Sequence, residues 1–168
     1  MDDLTASILI VDGYNIIGAW DGLQKLKQTD MGSARDQLIA TLSAYYPWCW
    51  ERIIIVFDGR QFNWTHIDGI EVVFTEDKET ADTMIEKLAA GLASCCRVEV
   101  ATSDYAEYRA ASALGAGVLS ASALKSRLRE ERSSYRRRLA DQSDNRGIML
   151  NDILSKSTLD TLERLRRL

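Results

Sequence analysis

Residues Ile8–Val11 form a run of four consecutive aliphatic residues that leads directly into Asp12 and Gly13. Because the run has no polar alternation, it predicts a strand that is buried on both faces, as in a parallel sheet covered by helices on each side. Asp12 would then lie at the carboxyl end of this strand, which is the edge where open α/β sheets bind ligands. The sequence therefore predicts a buried sheet with an acidic side chain at its ligand-binding edge.

Two later stretches repeat this arrangement. Arg52–Phe57 is a second aliphatic run and ends at Asp58, and Val98–Thr102 is a third run that leads into Ser103 and Asp104. Two shorter runs predict further strands, Ile70–Phe74 and Gly115–Leu119.

Apolar residues spaced three and four apart predict four helices. They are placed from about Gly32 to Pro47, over Glu79–Leu92, after Asp104 as far as Leu114, and over Ala121 to about Leu139. Residues 13–31 are interpreted as a glycine-rich polar connection, and residues 61–68 show no clear period. This order of elements predicts a three-layer α/β/α domain with a mostly parallel central sheet.

Length and composition point to one ordinary globular domain over residues 1–168, with a core over about 5–120. No apolar run approaches the roughly 20 residues of a membrane span, and Met1–Ser7 carries two aspartates where a signal peptide would be positively charged. The three cysteines are an odd number without a CxxC motif, so we expect reduced thiols. We expect a cytoplasmic monomer with no membrane partner.

The charge is unevenly distributed along the chain. Residues 1–123 hold 9 lysines and arginines against 18 acidic residues, whereas residues 124–168 hold 12 against 7. This predicts a basic helical arm over about 121–168, with a last helix that begins at a capping box of Ser157 and Asp160. At 100° per residue, four side chains fall in one narrow sector, a basic ridge of Lys125, Arg129, Arg132 and Arg136. The ridge suits a polyanion, and the alternative is a solvated helix face.

Three aspartates follow buried strands, and a parallel sheet would bring all of them to one edge: Asp12, Asp58 and Asp104. Asp82, in the first turn of a predicted helix, reaches the same edge. Such carboxylates repel one another at neutral pH unless cations lie among them. Oxygen ligands select Mg²⁺ or Mn²⁺, which takes further ligands from substrate phosphates. The pattern predicts metal-dependent hydrolysis of phosphodiester bonds.

Each acidic residue also has a structural explanation. Asp12 and Asp58 each precede a glycine, as in turns where aspartate bonds its own backbone. Asp104 forms a capping pair with Glu107, and Asp82 complements a helix dipole. Repetition at successive strand ends favours the metal site.

Two further polar residues have both kinds of interpretation. Asn15 either orients a water or a carboxylate, or bonds the loop backbone. His66, the only histidine, is interpreted as a surface or packing residue.

Four segments resemble the NYN-domain proteins of the YacP type, relatives of the PIN nucleases. They are ILIVDGYNIIGA (Ile8–Ala19), IIIVFD (Ile53–Asp58), VFTEDKETAD (Val73–Asp82) and ATSDY (Ala101–Tyr105). A weaker match extends through the basic helix to Leu159–Arg167. The resemblance implies a PIN-like (NYN) fold and ribosome-associated endoribonucleolytic cleavage of mRNA within a translating A site.

On this basis we expect an endoribonuclease that depends on Mg²⁺ or Mn²⁺ and acts on mRNA at the ribosome. The expected catalytic residues are Asp12, Asn15, Asp82 and Asp104, and the expected metal ligands are Asp12, Asp58, Asp82 and Asp104. The basic ridge is expected to bind RNA or the ribosome. The alternative is a non-catalytic RNA-binding or ribosome-docking adaptor with the same fold.

Other α/β classes lack residues that they require. A receiver domain needs a further strand and helix between Asp12 and Asp58 and a lysine after its last strand, but Ser120 follows Leu119. A haloacid-dehalogenase-type phosphatase needs an aspartate where Tyr14 stands. A dinucleotide-binding Rossmann domain needs GxGxxG after its first strand, and that motif is absent.

Overall fold

A six-stranded sheet lies at the centre of the computed structural model, which describes residues 6–140. The strands are β1 (Ser7–Asp12), β2 (Arg52–Phe57), β3 (Asn63–Ile67), β4 (Ile70–Phe74), β5 (Arg97–Ala101) and β6 (Gly117–Leu119). Their spatial order is β3-β4-β2-β1-β5-β6, and β3 is antiparallel to β4 while the other described pairs are parallel. The carboxyl ends of five strands therefore meet at one edge, which we call the carboxyl edge.

The two central strands are buried on both faces, as the sequence predicts. Ile8–Val11 in β1 is at most 2% exposed, and Ile53–Phe57 in β2 is fully buried. Alternate side chains enter different cores: Leu9 and Val11 join one, and Ile8 and Ile10 join the other. Each such buried aliphatic side chain stabilises the fold by roughly 1.5–3 kcal/mol.

Helices cover both faces of the sheet. The helices α1 (Gly13–Ala19), α2 (Asp21–Thr29) and α3 (Met31–Ser43) pack on the core of Leu9 and Val11, and α4 (Ala81–Leu92) and α5 (Tyr105–Ala113) pack on the other core. Residues 121–140 form α6, whose buried Leu124 and Leu128 join the first core. The predicted three-layer α/β/α class with a mostly parallel sheet is confirmed.

The interpretation of residues 13–31 as a loop is wrong, because they form α1 and α2. The glycines favoured a loop, but at Gly13 the absence of a side chain allows the Phe57 ring to pack closely against the backbone. A Cβ atom at Gly13 would lie 2.2 Å from Cε1 of the Phe57 ring. The buried side chains of Ile16, Ile17 and Leu23 anchor the two short helices.

The stretch without a clear period contains β3. This strand lies at the edge of the sheet, and its residues are exposed or half-exposed on both faces. Because a two-sided exposed strand needs no hydrophobic alternation, it leaves no signal of period two. His66 lies on this strand and is exposed.

Contacts divide the chain into a unit that ends at Leu128 and a unit that begins at Arg129. The single domain over residues 1–168 therefore stays a prediction. The part of the basic arm beyond residue 140, with the helix predicted after Ser157, lies outside the described residues. Within residues 6–140, no helix is both long and apolar enough to cross a membrane.

Candidate active site

Three carboxyl groups converge at the carboxyl edge. Oxygen atoms of Asp12, Asp82 and Glu107 all lie within 4.8 Å of one another, and we call these residues the carboxylate cluster. Asp12 ends β1, while Asp82 and Glu107 lie in the first turns of α4 and α5, which pack on the same face of the sheet. The structure thus brings together two of the predicted site residues and adds Glu107.

Local hydrogen bonds hold Asp12 in place. It is 8% exposed and caps the N-terminus of α1, where its Oδ1 accepts from the backbone N–H of Asn15 at 3.2 Å. The Asn15 side chain reaches the end of β5, since its Oδ1 accepts from the backbone N–H of Ser103 at 2.8 Å. Because the carbonyl oxygen takes that N–H, the amide NH₂ of Asn15 is left to donate elsewhere.

Asp58 and Asp104 hold helices in position. Oδ1 of Asp58 accepts from the backbone N–H of Ala81 at 2.8 Å, directly before Asp82 in α4. Oδ1 of Asp104 caps α5 by accepting from the N–H groups of Ala106 at 2.8 Å and Glu107 at 3.4 Å. Each of these aspartates therefore places the helix that carries a member of the carboxylate cluster.

The buried member of the cluster is Glu107. It is 3% exposed, and neither of its carboxyl oxygens makes a hydrogen bond of normal geometry among the described residues, while the side chains of Thr102 and Asp12 lie close enough to affect its pKa. A buried polar group without a partner is costly and calls for an explanation. The spacing of Asp104 and Glu107 was interpreted as a capping pair, which hid Glu107 from the sequence argument. The usable signal was a glutamate in the first turn after a strand that ends at the ligand-binding edge.

Burial is the largest cause that raises the pKa of each carboxyl group in the cluster. Burial, and then the charges of Asp12 and Asp82, raise the pKa of Glu107 to about 8. Burial also raises the pKa of Asp12, against the bond from Asn15, with smaller effects of Asp82 and Asp58. The pKa of Asp82 is raised by burial and then by the charges of Asp104 and Asp58. Without a cation, Glu107 therefore holds a proton near neutral pH.

A family model described as the YacP-like NYN domain matches residues 9–167 of the chain. The chain belongs to this family. Its sequence is 40% identical over 168 residues to the YacP protein of Bacillus subtilis (strain 168), covering 95% of this chain and 96% of that protein. The family predicted from the sequence is confirmed.

Two solved structures have the same fold as this NYN domain. A crystal structure of a mutant Rae1 (YacP) from Bacillus subtilis matches with a TM-score of 0.70 and 40% identity, over 82% of this chain and 84% of that one. A second crystal structure of Rae1 (YacP) matches with a TM-score of 0.67 and 38% identity, over 95% and 94%. The predicted PIN-like NYN fold is confirmed, and it places the chain among nuclease-related proteins.

The carboxylate cluster of this NYN domain suits a hard divalent cation. All of its ligand atoms are carboxylate oxygens, and no lysine or arginine in the described part of the chain forms an ion pair with them. A cation would satisfy the buried oxygens of Glu107, which make no hydrogen bond of normal geometry within residues 6–140. Asp12, Asp82 and Glu107 are the residues that would hold it.

The predicted basic ridge is exposed where the structure describes it. Arg129, Arg132 and Arg136 line one shallow surface depression with Arg137. Lys125 is half-exposed and belongs to the unit that ends at Leu128.

Proposed function

We propose that this NYN domain is a divalent-metal-dependent endoribonuclease that hydrolyses RNA phosphodiester bonds, with mRNA on the ribosome as its substrate. The observation that supports it is the carboxylate cluster, in which the buried carboxyl oxygens of Glu107 accept no hydrogen bond from residues 6–140. The proposed ion is Mg²⁺ or Mn²⁺, because both prefer oxygen ligands and share their coordination with phosphate.

The roles proposed for the chain follow from the contacts. Asp12, Asp82 and Glu107 hold the cation, and Asp58 and Asp104 set the starts of the helices that carry two of these ligands. The free NH₂ group of Asn15 donates to the reacting phosphate or to the attacking water. A divalent ion bound there neutralises charge that develops on the phosphate and acidifies the attacking water.

Association with RNA or the ribosome is assigned to the basic ridge of Lys125, Arg129, Arg132 and Arg136. The exposed guanidinium groups of its three arginines suit backbone phosphates, which arginine binds through two parallel hydrogen bonds. The double variant Arg129→Glu with Arg132→Glu should weaken association with ribosomes in sedimentation and leave Mn²⁺ binding unchanged. An unchanged salt dependence of binding would remove the ridge from the proposal.

The test of catalysis is a Mn²⁺ titration of RNA cleavage with the full-length protein. Wild type should cut RNA only when the ion is added, and Asp12→Asn should still bind RNA but not cut it. Asp21→Asn removes an exposed carboxylate from α2 and serves as the matched control, which should cut like wild type.

Three outcomes distinguish the possible functions. Cleavage that is lost in Asp12→Asn and kept in Asp21→Asn supports the nuclease. RNA or ribosome binding without metal-dependent cleavage in any form identifies a non-catalytic adaptor. Equal cleavage by wild type and Asp12→Asn points to a contaminating enzyme and contradicts the proposal.

A further inference from the structure

A fixed cation lies at the carboxyl edge, on the face of the sheet opposite the carboxylate cluster. Arg35, in the second turn of α3, donates from Nη1 to Oη of Tyr14 at 3.0 Å. Its guanidinium also lies 5.6 Å from the centre of the Phe74 ring. Tyr14 is the second residue of α1 and Phe74 ends β4, so these contacts hold the charge of Arg35 at the edge of the sheet.

A stack of aromatic rings supports this arginine. The Phe57 ring stacks on Phe74 with centroids 5.3 Å apart and packs on Tyr14 at 4.9 Å. Because Gly13 has no side chain, the Phe57 ring fits directly beneath the start of α1. Arg35 is thus held in one conformation before any ligand binds, which lowers the entropy lost on binding.

The charge of Arg35 has no ion-pair partner among the described residues, whose ion pairs involve Arg52, Lys87 and Arg127. The carboxylate of Asp30 accepts hydrogen bonds from the backbone of Gly32 and from Ser33. Those bonds lower the pKa of Asp30, and the charge of Arg35 contributes least to that shift.

The hydroxyl of Tyr14 accepts from Arg35 and keeps its own hydrogen for donation. Arg35 and Tyr14 therefore present hydrogen-bond donors and a positive charge at one place, which suits an anion. The planar guanidinium matches the geometry of a phosphate.

We propose that Arg35 and Tyr14 bind a backbone phosphate of the RNA, close to the phosphodiester that the carboxylate cluster acts on. This inference rests on the proposed function, since it takes RNA as the substrate. Tyr14 follows Asp12 by two residues, and Asp12 caps the helix that carries Tyr14, so both residues lie at the start of α1 on the carboxyl edge.

The test measures binding of a short fluorescein-labelled single-stranded RNA by anisotropy over a series of salt concentrations. All proteins carry Asp12→Asn, so that the RNA stays intact. Arg35→Met keeps the apolar contact with Phe74 and removes the charge. We expect affinity to fall about five-fold at about 0.1 M salt, and the slope of log affinity against log salt to become shallower by about 0.7.

Matched variants separate the phosphate contact from other effects. Arg97→Met removes an exposed arginine at the opposite edge of the sheet, at the start of β5, and should leave affinity and slope unchanged. Arg35→Lys should restore the slope but only part of the affinity, because lysine lacks the two-pronged geometry. Tyr14→Phe should weaken binding without changing the slope.

An unchanged slope in Arg35→Met overturns the inference, as does an equal change in Arg97→Met or a failure of the Asp12→Asn parent protein to bind RNA. If Arg35→Met lowers the melting temperature, Arg35→Gln must reproduce the shallower slope. If Arg35 contributes to RNA binding but the wild-type protein never cuts RNA, the proposed nuclease activity is contradicted and the phosphate contact is supported. Cleavage by wild type with a slope independent of Arg35 contradicts the phosphate contact alone.

Discussion

Two glutamates on the sheet differ from Glu107 in the hydrogen-bond and ion-pair partners of their carboxylates. Glu71 on β4 forms an ion pair with Arg52 and accepts from Nε1 of Trp64 at 2.9 Å. Glu99 on β5 has the same kind of partners: Nη1 of Arg127 at 2.7 Å and Nε1 of Trp50 at 2.6 Å. In both places one arginine and one tryptophan satisfy the carboxylate.

Glu107 is buried at least as deeply, yet it has no arginine or lysine partner among the described residues and lies beside the carboxyl groups of Asp12 and Asp82. The bond to Arg52 lowers the pKa of Glu71, whereas burial and the charges of Asp12 and Asp82 raise the pKa of Glu107. The fold provides partners for the buried Glu71 and the half-buried Glu99, whereas Glu107 has no hydrogen bond to its carboxyl oxygens among residues 6–140, and this carries a local cost. Such a cost is typical of a residue kept for binding or chemistry.

The largest effect is expected from Glu107→Gln. This change removes the negative charge and one carboxylate oxygen of Glu107 from the carboxylate cluster. It should lower Mn²⁺-dependent cleavage on the order of 10²-fold to 10³-fold, since several kcal/mol of transition-state stabilisation are lost. Single-turnover cleavage measures it. Glu71→Gln is the matched control and should cut RNA at nearly the wild-type rate; similar losses in the two variants would remove the distinction between these glutamates.

The pH dependence of stability should follow the raised pKa of Glu107. Its pKa is about 8 in the folded protein and near 4.5 when unfolded, so the folded state binds more protons between these values. In EDTA, stability due to Glu107 is fully present below pH 4.5 and is lost as pH rises to 8; at about 1.4 kcal/mol per pH unit over this interval, the change is on the order of 5 kcal/mol. Urea unfolding at several pH values measures it, and Glu107→Gln should flatten the decline. A wild-type curve that rises over this range contradicts the burial of Glu107.

Arg52→Met should leave Glu71 with Trp64 as its remaining partner. Because the Arg52 side chain is 37% exposed, solvent screens the pair, and we expect a loss of roughly 2 kcal/mol in the free energy of unfolding. Lys87→Met is the control, since 66% of the Lys87 side chain is exposed in its ion pair with Glu79 and its loss should be below about 1 kcal/mol. Equal losses would mean that burial does not distinguish these ion pairs.

The smallest expected effect separates a positioning role of Asp58 from metal ligation. Asp58→Ala removes the acceptor for the N–H of Ala81 at the start of α4 and should cost about 1 kcal/mol of stability, with a modest drop in cleavage. Asp58→Asn keeps an oxygen at that place and should restore most of both. If asparagine lowers the affinity for Mn²⁺ as much as alanine does, Asp58 is a metal ligand, as the sequence suggested.

Local patterns were enough for the elements whose burial is complete. The aliphatic runs of β1 and β2 admit no other interpretation than strands buried on both faces, and the Asp12 that follows β1 lies at the predicted edge. The helix α4 was predicted from its spacing and carries Asp82 in its first turn. The sequence pattern failed in two places. It gave no signal for the exposed strand β3, and it predicted a loop after Gly13, where the glycine serves close packing.

The sequence by itself determined the class of fold, the family and the edge at which the acidic groups gather. Buried strands are visible in the sequence as uninterrupted aliphatic runs, and amphipathic helices as apolar residues spaced three and four apart. Only the tertiary structure decided that Asp104 caps α5 while Glu107 enters the cluster, and that Arg35 rests on Phe74 without an ion pair to any residue of 6–140. The reason is physical: whether a carboxylate or a guanidinium finds its partner depends on which elements pack beside it, and that information lies in contacts between residues far apart in the chain.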